Sequence, residues 1–319
     1  MNTSIEPDKL VIKNNSIKST KLFKNLKQDK YLLLMFLPIF VYFVVFKYLP
    51  MTGLVIAFKD FKPGHGIYFG DWVGLKWFSQ FFSSPYAYRV IRNTVLISIN
   101  SIIFGFPVPI IFAVCITELK RSSVRRIYQT ASYLPHFIST VILVGIITNF
   151  FSMNNGVVNN FITLLGGEEI NFLNNPNYFR ILYVGSNIWQ NFGFDSIIYI
   201  AAINSIDPTL FEVSKIDGIT KFKQVYYITI PMIIPTIIIL FILQLGQIMN
   251  VGFEKVFLMY NPAIYETADV ISTYVYRKGI EGSSYSFATA VGFFNSVINF
   301  IFVYVANKIC RRMTQTSLW

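Results

Sequence analysis

Charge is scarce in this chain. Only 13% of its 319 residues are Asp, Glu, Lys or Arg and 54% are hydrophobic, where a soluble domain typically carries about 25% charge. A single fold of this length cannot hide that much apolar side chain from water, so some of it must face lipid. Cysteine is equally sparse: Cys115 and Cys310 are too few for a disulfide framework and lack metal-ligand spacing. Only two histidines are present, His65 and His136, and no Ser–His–Asp set, pair of catalytic carboxylates or metal cluster accompanies them. The phosphate-loop pattern G-x-x-x-x-G-K-[ST] is also missing, which excludes ATP hydrolysis by that route in this chain.

What the chain has instead is long apolar runs. Six of them reach the roughly 20 residues needed to cross a bilayer: Tyr31 to Leu49, Thr94 to Thr117, Ile127 to Phe151, Ile181 to Ile206, Pro231 to Asn250 and Tyr285 to Ala306. The sequence thus predicts an all-α integral membrane protein with six spans, a permease domain over residues 31–306, a basic arm over 1–30 and a tail over 307–319. Pro135 inside the third run predicts a kink or break. The arm carries seven lysines between Lys9 and Lys30, with Leu22, Phe23 and Leu26 among them; an amphipathic surface helix and a solvated arm both fit. It is longer than a signal-peptide n-region and no small-residue cleavage site follows, so the first run reads as a retained span. Between the first two runs, Trp72, Trp77, Phe78, Phe81 and Phe82 suit interfacial anchoring.

The formal charge of +11 would fit nucleic acid on a soluble scaffold, but its distribution marks membrane sides instead. With the N-terminus inside, seventeen of the 27 basic residues fall in cytoplasmic segments and eight in outer ones, with Lys47 and Arg180 at helix ends. By the positive-inside rule both termini are cytoplasmic.

One connecting segment is too long and too ordered for a simple loop. It reads IDPTLFEVSKIDGITKFKQVYYITIP, from Ile206 to Pro231. Asp207 is a good N-cap ahead of Pro208 at the first helical position, Gly218 can take the positive φ of a helix break, and Thr220 can cap a second helix. Pro231 is expected to open the fifth span. This punctuation predicts helix, turn, helix on the cytoplasmic side, with a docking role.

The spacing of Glu212, Asp217, Gly218, Ile228 and Pro231 resembles the EAA loop of the membrane subunits of binding-protein-dependent ABC importers. Val213 and Ser214 stand where that pattern has two alanines, and Ile230 where it has leucine. The segment KYLLLMFLPIFVYFVVFKYLPMTGLVIAFKDFKPGHGI with WVGLKWFSQFF is similar to the start of the oligosaccharide and polysaccharide branch of those permeases. The resemblance implies a bacterial plasma-membrane, multi-pass, non-catalytic subunit that pairs with a second permease chain, two ATPase subunits and an extracellular solute-binding protein. No cofactor would be bound by this chain, ATP and Mg belonging to the ATPase. Glu212, Val213, Ser214, Asp217 and Gly218 would couple it to the ATPase, with 208–215 as the coupling helix and Glu212 in polar contact.

Polar residues within spans face a protein interior or a water-filled cavity. In the fourth run Asn187, Gln190, Asn191 and Phe194 follow helical spacing, as do Gln244, Gln247 and Asn250 in the fifth. Amides beside aromatic rings suit sugar hydroxyls and ring faces, so Asn187, Gln190, Asn191, Gln244 and Gln247 are the candidate solute-path residues. The same groups would also suit bonds between helices. Asp195, the one acid within a span, is expected to take a buried partner or a bond between helices, and His136 to be a satisfied core residue. Three rival functions remain: the same importer architecture with a non-sugar solute, an ion-coupled secondary transporter using Asp195, and a membrane enzyme.

Overall fold

The computed structural model describes residues 30–314 apart from His65 and Tyr68. All of the basic arm except Lys30 lies outside the described residues. Among the described residues the chain is helical, with no strand beyond an isolated bridge between Lys59 and Trp72. It divides after Leu54 into two units.

All of the first unit's described residues belong to α1, Lys30–Phe58, whose last residues fall in the second unit. Residues Lys30–Phe43 are apolar on every side and none is buried, the pattern of a helix meant for lipid or a protein partner. The second unit holds α2 (Lys76–Phe82), α3 (Ala87–Thr117), α4 (Ser122–Phe137), α5 (Thr140–Phe151) and α6 (Val157–Leu164). It continues with α7 (Pro176–Asn204), α8 (Pro208–Ile216), α9 (Lys221–Leu245), α10 (Phe253–Met259), α11 (Ile271–Tyr276) and α12 (Tyr285–Thr314).

Among the described residues four helices, α1, α3, α9 and α12, are long and apolar enough to cross a membrane. The break expected at Pro135 is a sharp turn: α4 and α5 meet at 100°, and as a bent pair they make a fifth such element. Its cause is local. Leu134–Phe137 tighten into a 3-10 turn, and Ser139 restarts the chain as the N-cap of α5, its hydroxyl accepting from the Ile142 N–H at 3.4 Å. Helix α7 has the length for a crossing at 29 residues, but Asn187, Gln190, Asn191 and Asp195 make it less apolar than the others. The fifth span does not open at Pro231: α9 is helical from Lys221. Nor does the last helix stop at Ala306, since α12 runs on to Thr314.

Three of these helices absorb prolines by the same device. Proline i removes the hydrogen bond to carbonyl i−4 and its ring clashes there. Pro50, Pro107 and Pro231 each follow a π-helical turn, at Val44–Tyr48, Ser101–Gly105 and Val225–Thr229. The widened turn holds the i−4 residue in every case (Phe46, Ile103 and Tyr227), so the loss falls where the helix is already locally loosened.

Packing centres on α7 and α3. Ala113 and Ile116 of α3 meet Tyr199, Ile200 and Ile203 of α7 and Ile233 of α9 in one buried cluster. A second gathers Ile97, Phe179, Tyr183, Val256 and Val270, and a third Phe81, Val90, Tyr274, Phe287 and Val291. Gly193 lets α7 touch α4 backbone to backbone, because a Cβ there would fall inside the Ser132 carbonyl.

Candidate functional site

The 207–231 segment forms the expected helix, turn, helix. Asp207 caps α8, its carboxylate accepting from the Thr209 N–H at 2.9 Å, and that bond holds its pKa below the usual carboxylate value. The helix ends in a Schellman motif: Ile219 N–H donates to the Ser214 carbonyl at 2.9 Å and Gly218 N–H to the Lys215 carbonyl at 3.1 Å. Gly218 has φ of +70° and open space around it, so the backbone conformation, not crowding, calls for glycine. Thr220 occupies the N-cap position of α9 but its side chain makes no capping bond.

The five residues assigned to coupling do not share one face. Glu212, Val213 and Asp217 are exposed, and with Leu210 and Ile216, the latter 85% exposed, they form an outward surface of mixed apolar and acidic character. Ser214 points inward. Its hydroxyl donates to the Phe211 carbonyl at 2.9 Å and accepts from Gln224 Nε2 of α9, also at 2.9 Å. Both Ser214 and Gln224 are buried, and Gln224 Oε1 has no partner. Lys221 adds an ion pair to Glu118, at the end of α3, at 2.6 Å. Sequence reasoning missed Gln224, although a lone amide three residues into a basic helix was a readable signal.

The far end of α9 reaches a polar cavity. One chamber of about 210 Å³ is lined by Ser101, Asn187, Asn191, Asp195, Tyr199 and Gln244 among others. A second, of about 250 Å³, shares Ser101, Asn187 and Gln244 and adds Ser98, Tyr183, Gln247 and Asn250. Four of the five predicted solute-path residues therefore come together here. The fifth, Gln190, faces the α4–α5 break and donates to the Ile138 carbonyl at 2.9 Å. Asn191 Nδ2 donates to the Asn187 carbonyl at 3.0 Å, and its Oδ1 lies 3.0 Å from His136 Nδ1. His136 is only half-buried and stacks on Phe194 at 3.9 Å. Asp195 lacks the buried partner expected of it: it is exposed to the cavity and makes no hydrogen bond or ion pair among the described residues. Asn295 and Asn299 of α12 went unnoticed in sequence, though they stand four apart in an apolar run. Both donate to Asn250 Oδ1, at 3.0 and 3.2 Å, and Asn250 donates to Gln247 Oε1 at 2.7 Å.

The end of the unit remote from α8 is tied by charge. Asp269, fully buried, accepts from Arg89 at 2.8 Å and Arg277 at 2.7 Å. Burial alone would lower the Arg277 pKa, but its bonds to Asp269 outweigh that and raise it. Asn93 donates to the Asp269 carbonyl at 2.9 Å and accepts from Arg180 at 3.0 Å, so α3, α7 and the chain before α11 are joined. Lys255, 6% exposed, donates to the Tyr183 carbonyl at 3.1 Å and lies 4.8 Å over that ring. It has no acidic partner among the described residues, and burial pushes its pKa down to about 7.

A helical membrane unit with an amide-lined cavity, joined by one helix to an ordered helix–turn–helix segment, is the architecture of a solute permease. Residues 105–315 match the family described as binding-protein-dependent transport system inner membrane component, and the chain belongs to that family. It is similar to Protein LplB of Bacillus subtilis, 41% identical over 294 residues that span 92% of each chain. The polygalacturonan/rhamnogalacturonan transport system permease protein YteP of the same organism is also 41% identical, over 95% of this chain and 94% of its own. Among solved structures, a bacterial alginate ABC transporter in complex with an alginate pentasaccharide-bound periplasmic protein matches with a TM-score of 0.87 and 44% identity. That match covers 93% of this chain and 100% of the other. The chain is thus a transport subunit of the bacterial inner membrane, not an enzyme.

Proposed function

We propose that this chain forms half of the translocation pathway of an ATP-driven importer for a sugar or oligosaccharide, with six spans and both termini cytoplasmic. The observation that carries this is the continuous helix α9. It starts beside the docking helix α8, bonded to it through Gln224, and about 36 Å later, at 1.5 Å per residue, reaches the cavity at Gln244. A push on α8 is therefore delivered where solute would pass. The names of the similar proteins, which concern polygalacturonan, rhamnogalacturonan and alginate, support an oligosaccharide as solute. So does a cavity whose donors and acceptors are chiefly amides.

In this reading a second permease chain completes the pathway, an extracellular binding protein delivers solute, and two ATPase subunits hold ATP and Mg. The exposed face of α8 seats in the ATPase, Glu212 supplying polar contact. Closure of the ATPase dimer then rocks the helices between inward-open and outward-open states, whose relative populations ATP and the loaded binding protein shift by binding one better than the other. Glu212→Ala and Gly218→Val each abolish uptake while membrane insertion stays normal; uptake that survives both replacements overturns the coupling assignment.

A further inference from the structure

The break between α4 and α5 is fastened to α7 at the turn that lines the first chamber. His136 stands in the 3-10 turn of the break. It stacks on Phe194 at 3.9 Å, the rings parallel to within 2°, and brings its Nδ1 to 3.0 Å from Asn191 Oδ1. Chemistry fixes which way each group in this row points. The Asn187 backbone carbonyl only accepts, so the Asn191 atom 3.0 Å from it is the Nδ2 donor. Asn191 therefore turns Oδ1, an acceptor, to His136, and His136 must carry a proton on Nδ1. The other Nδ2 hydrogen of Asn191 goes to Asn187 Oδ1, at 3.2 Å. Asn187 is left with an Nδ2 that has no partner among the described residues, at the place where the two chambers meet.

We propose that His136 is a positioning residue for transport: through Asn191 it holds the Asn187 amide with its NH2 group presented to the solute. The inference rests on the transport reading above for its consequence, not for the bonds themselves. A solute oxygen accepts from Asn187, and Asp195 of the same chamber offers an acceptor to a hydroxyl proton. A hydroxyl is both donor and acceptor, so the pair suits it. The row also links the break to the pathway, because a movement of the break reaches the solute through one ring and two amides. A role in packing alone would need the stack on Phe194 and not Nδ1.

Two variants separate these roles. His136→Phe keeps a ring against Phe194 and loses the donor, whereas His136→Asn loses the ring and keeps an amide Nδ2 on Cγ, where Nδ1 stood. The complete complex with its binding protein is reconstituted in liposomes and offered trisaccharides of galacturonate, alginate, xylose and glucose. Solute moved per ATP hydrolysed is measured at saturating binding protein. His136→Phe is expected to lower that ratio about fivefold, the worth of one hydrogen bond, and His136→Asn to stay within about twofold of wild type. The reverse order, equal loss in both or no loss in either overturns the positioning role. The bond itself is read without any solute. The chain has two histidines, His65 and His136, so the full-length His65→Gln chain, its histidine labelled for nitrogen magnetic resonance, shows His136 alone. At about pH 8, where histidine is ordinarily neutral, the proton is expected on Nδ1 and is expected to move to Nε2 in Asn191→Leu. A proton on Nε2 without that second replacement overturns the inference whatever the uptake shows. A wild-type complex that moves none of the trisaccharides overturns the sugar-transport reading and with it the transport role of His136, while the tautomer still decides the bonds.

Discussion

Ser214 and Gln224 offer a test of how rigidly α8 is fixed, because the two sides of their bond are not equivalent. In Ser214→Ala, which installs the residue that the family pattern carries there, Gln224 loses its one hydrogen bond. Its Oε1 is already unpaired and the side chain is 1% exposed, so a whole amide is stranded, at a cost of about 1–3 kcal/mol. In Gln224→Leu the Ser214 hydroxyl still donates to the Phe211 carbonyl, and an unpaired oxygen disappears. The smaller truncation is thus expected to cost more than the larger one, and the double variant to recover most of the loss, a coupling that a double-mutant cycle isolates. Amide hydrogen exchange across residues 214–224 reads this locally. Ser214→Ala should speed exchange by about fivefold to about 150-fold, the equivalent of that energy range, with Gln224→Leu and the double variant close to wild type. Unchanged exchange in Ser214→Ala, or faster exchange in Gln224→Leu than in Ser214→Ala, would refute the reasoning.

Other outcomes follow from the same geometry. Gly193→Ala drives a methyl group into the Ser132 carbonyl and should destabilise the contact between α4 and α7 by about 1–3 kcal/mol, read as a lowered unfolding temperature of the purified protein. Asp269→Asn leaves Arg89 and Arg277 without their countercharge; since removing one partner of a buried pair costs about 3–5 kcal/mol and these arginines are partly exposed, a loss near the lower end is expected in the same assay. Lys255 titrates near 7 when folded, against 10.5 for its ordinary value. The unfolded chain therefore binds the extra proton, so the destabilisation is complete below pH 7 and fades as pH rises towards 10.5. The unfolding temperature of the wild type should gain on that of Lys255→Met over this window, and parallel curves would show that the burial does not act through charge.

Much of the candidate site was legible in sequence wherever one local rule sufficed. Asp207, Pro208 and Gly218 announced α8 and its end because capping and positive φ are properties of single residues and their immediate neighbours. Asn187, Asn191, Gln244 and Gln247 announced a polar cavity because an amide in an apolar run needs a partner. Gln190 obeyed the same periodicity yet faces the bend at Pro135, since helical spacing gives a face but not what that face meets. Thr220 stood at its cap position without using its side chain, and α9 began at Lys221 because a π turn carries the helix through Pro231.

By itself, then, the sequence determined the membrane class, the apolar runs, the helix–turn–helix after Ile206 and its break. Those follow from transfer energies and backbone preferences that each segment carries alone. Only the tertiary structure decided which amides converge, that Ser214 turns inward to Gln224, that Asp195 faces a cavity and that Asn295 bonds to Asn250. These depend on where α3, α7, α9 and α12 cross, and crossings are set by side chains far apart in the chain, such as Gly193 against Ser132 and Asp269 between Arg89 and Arg277.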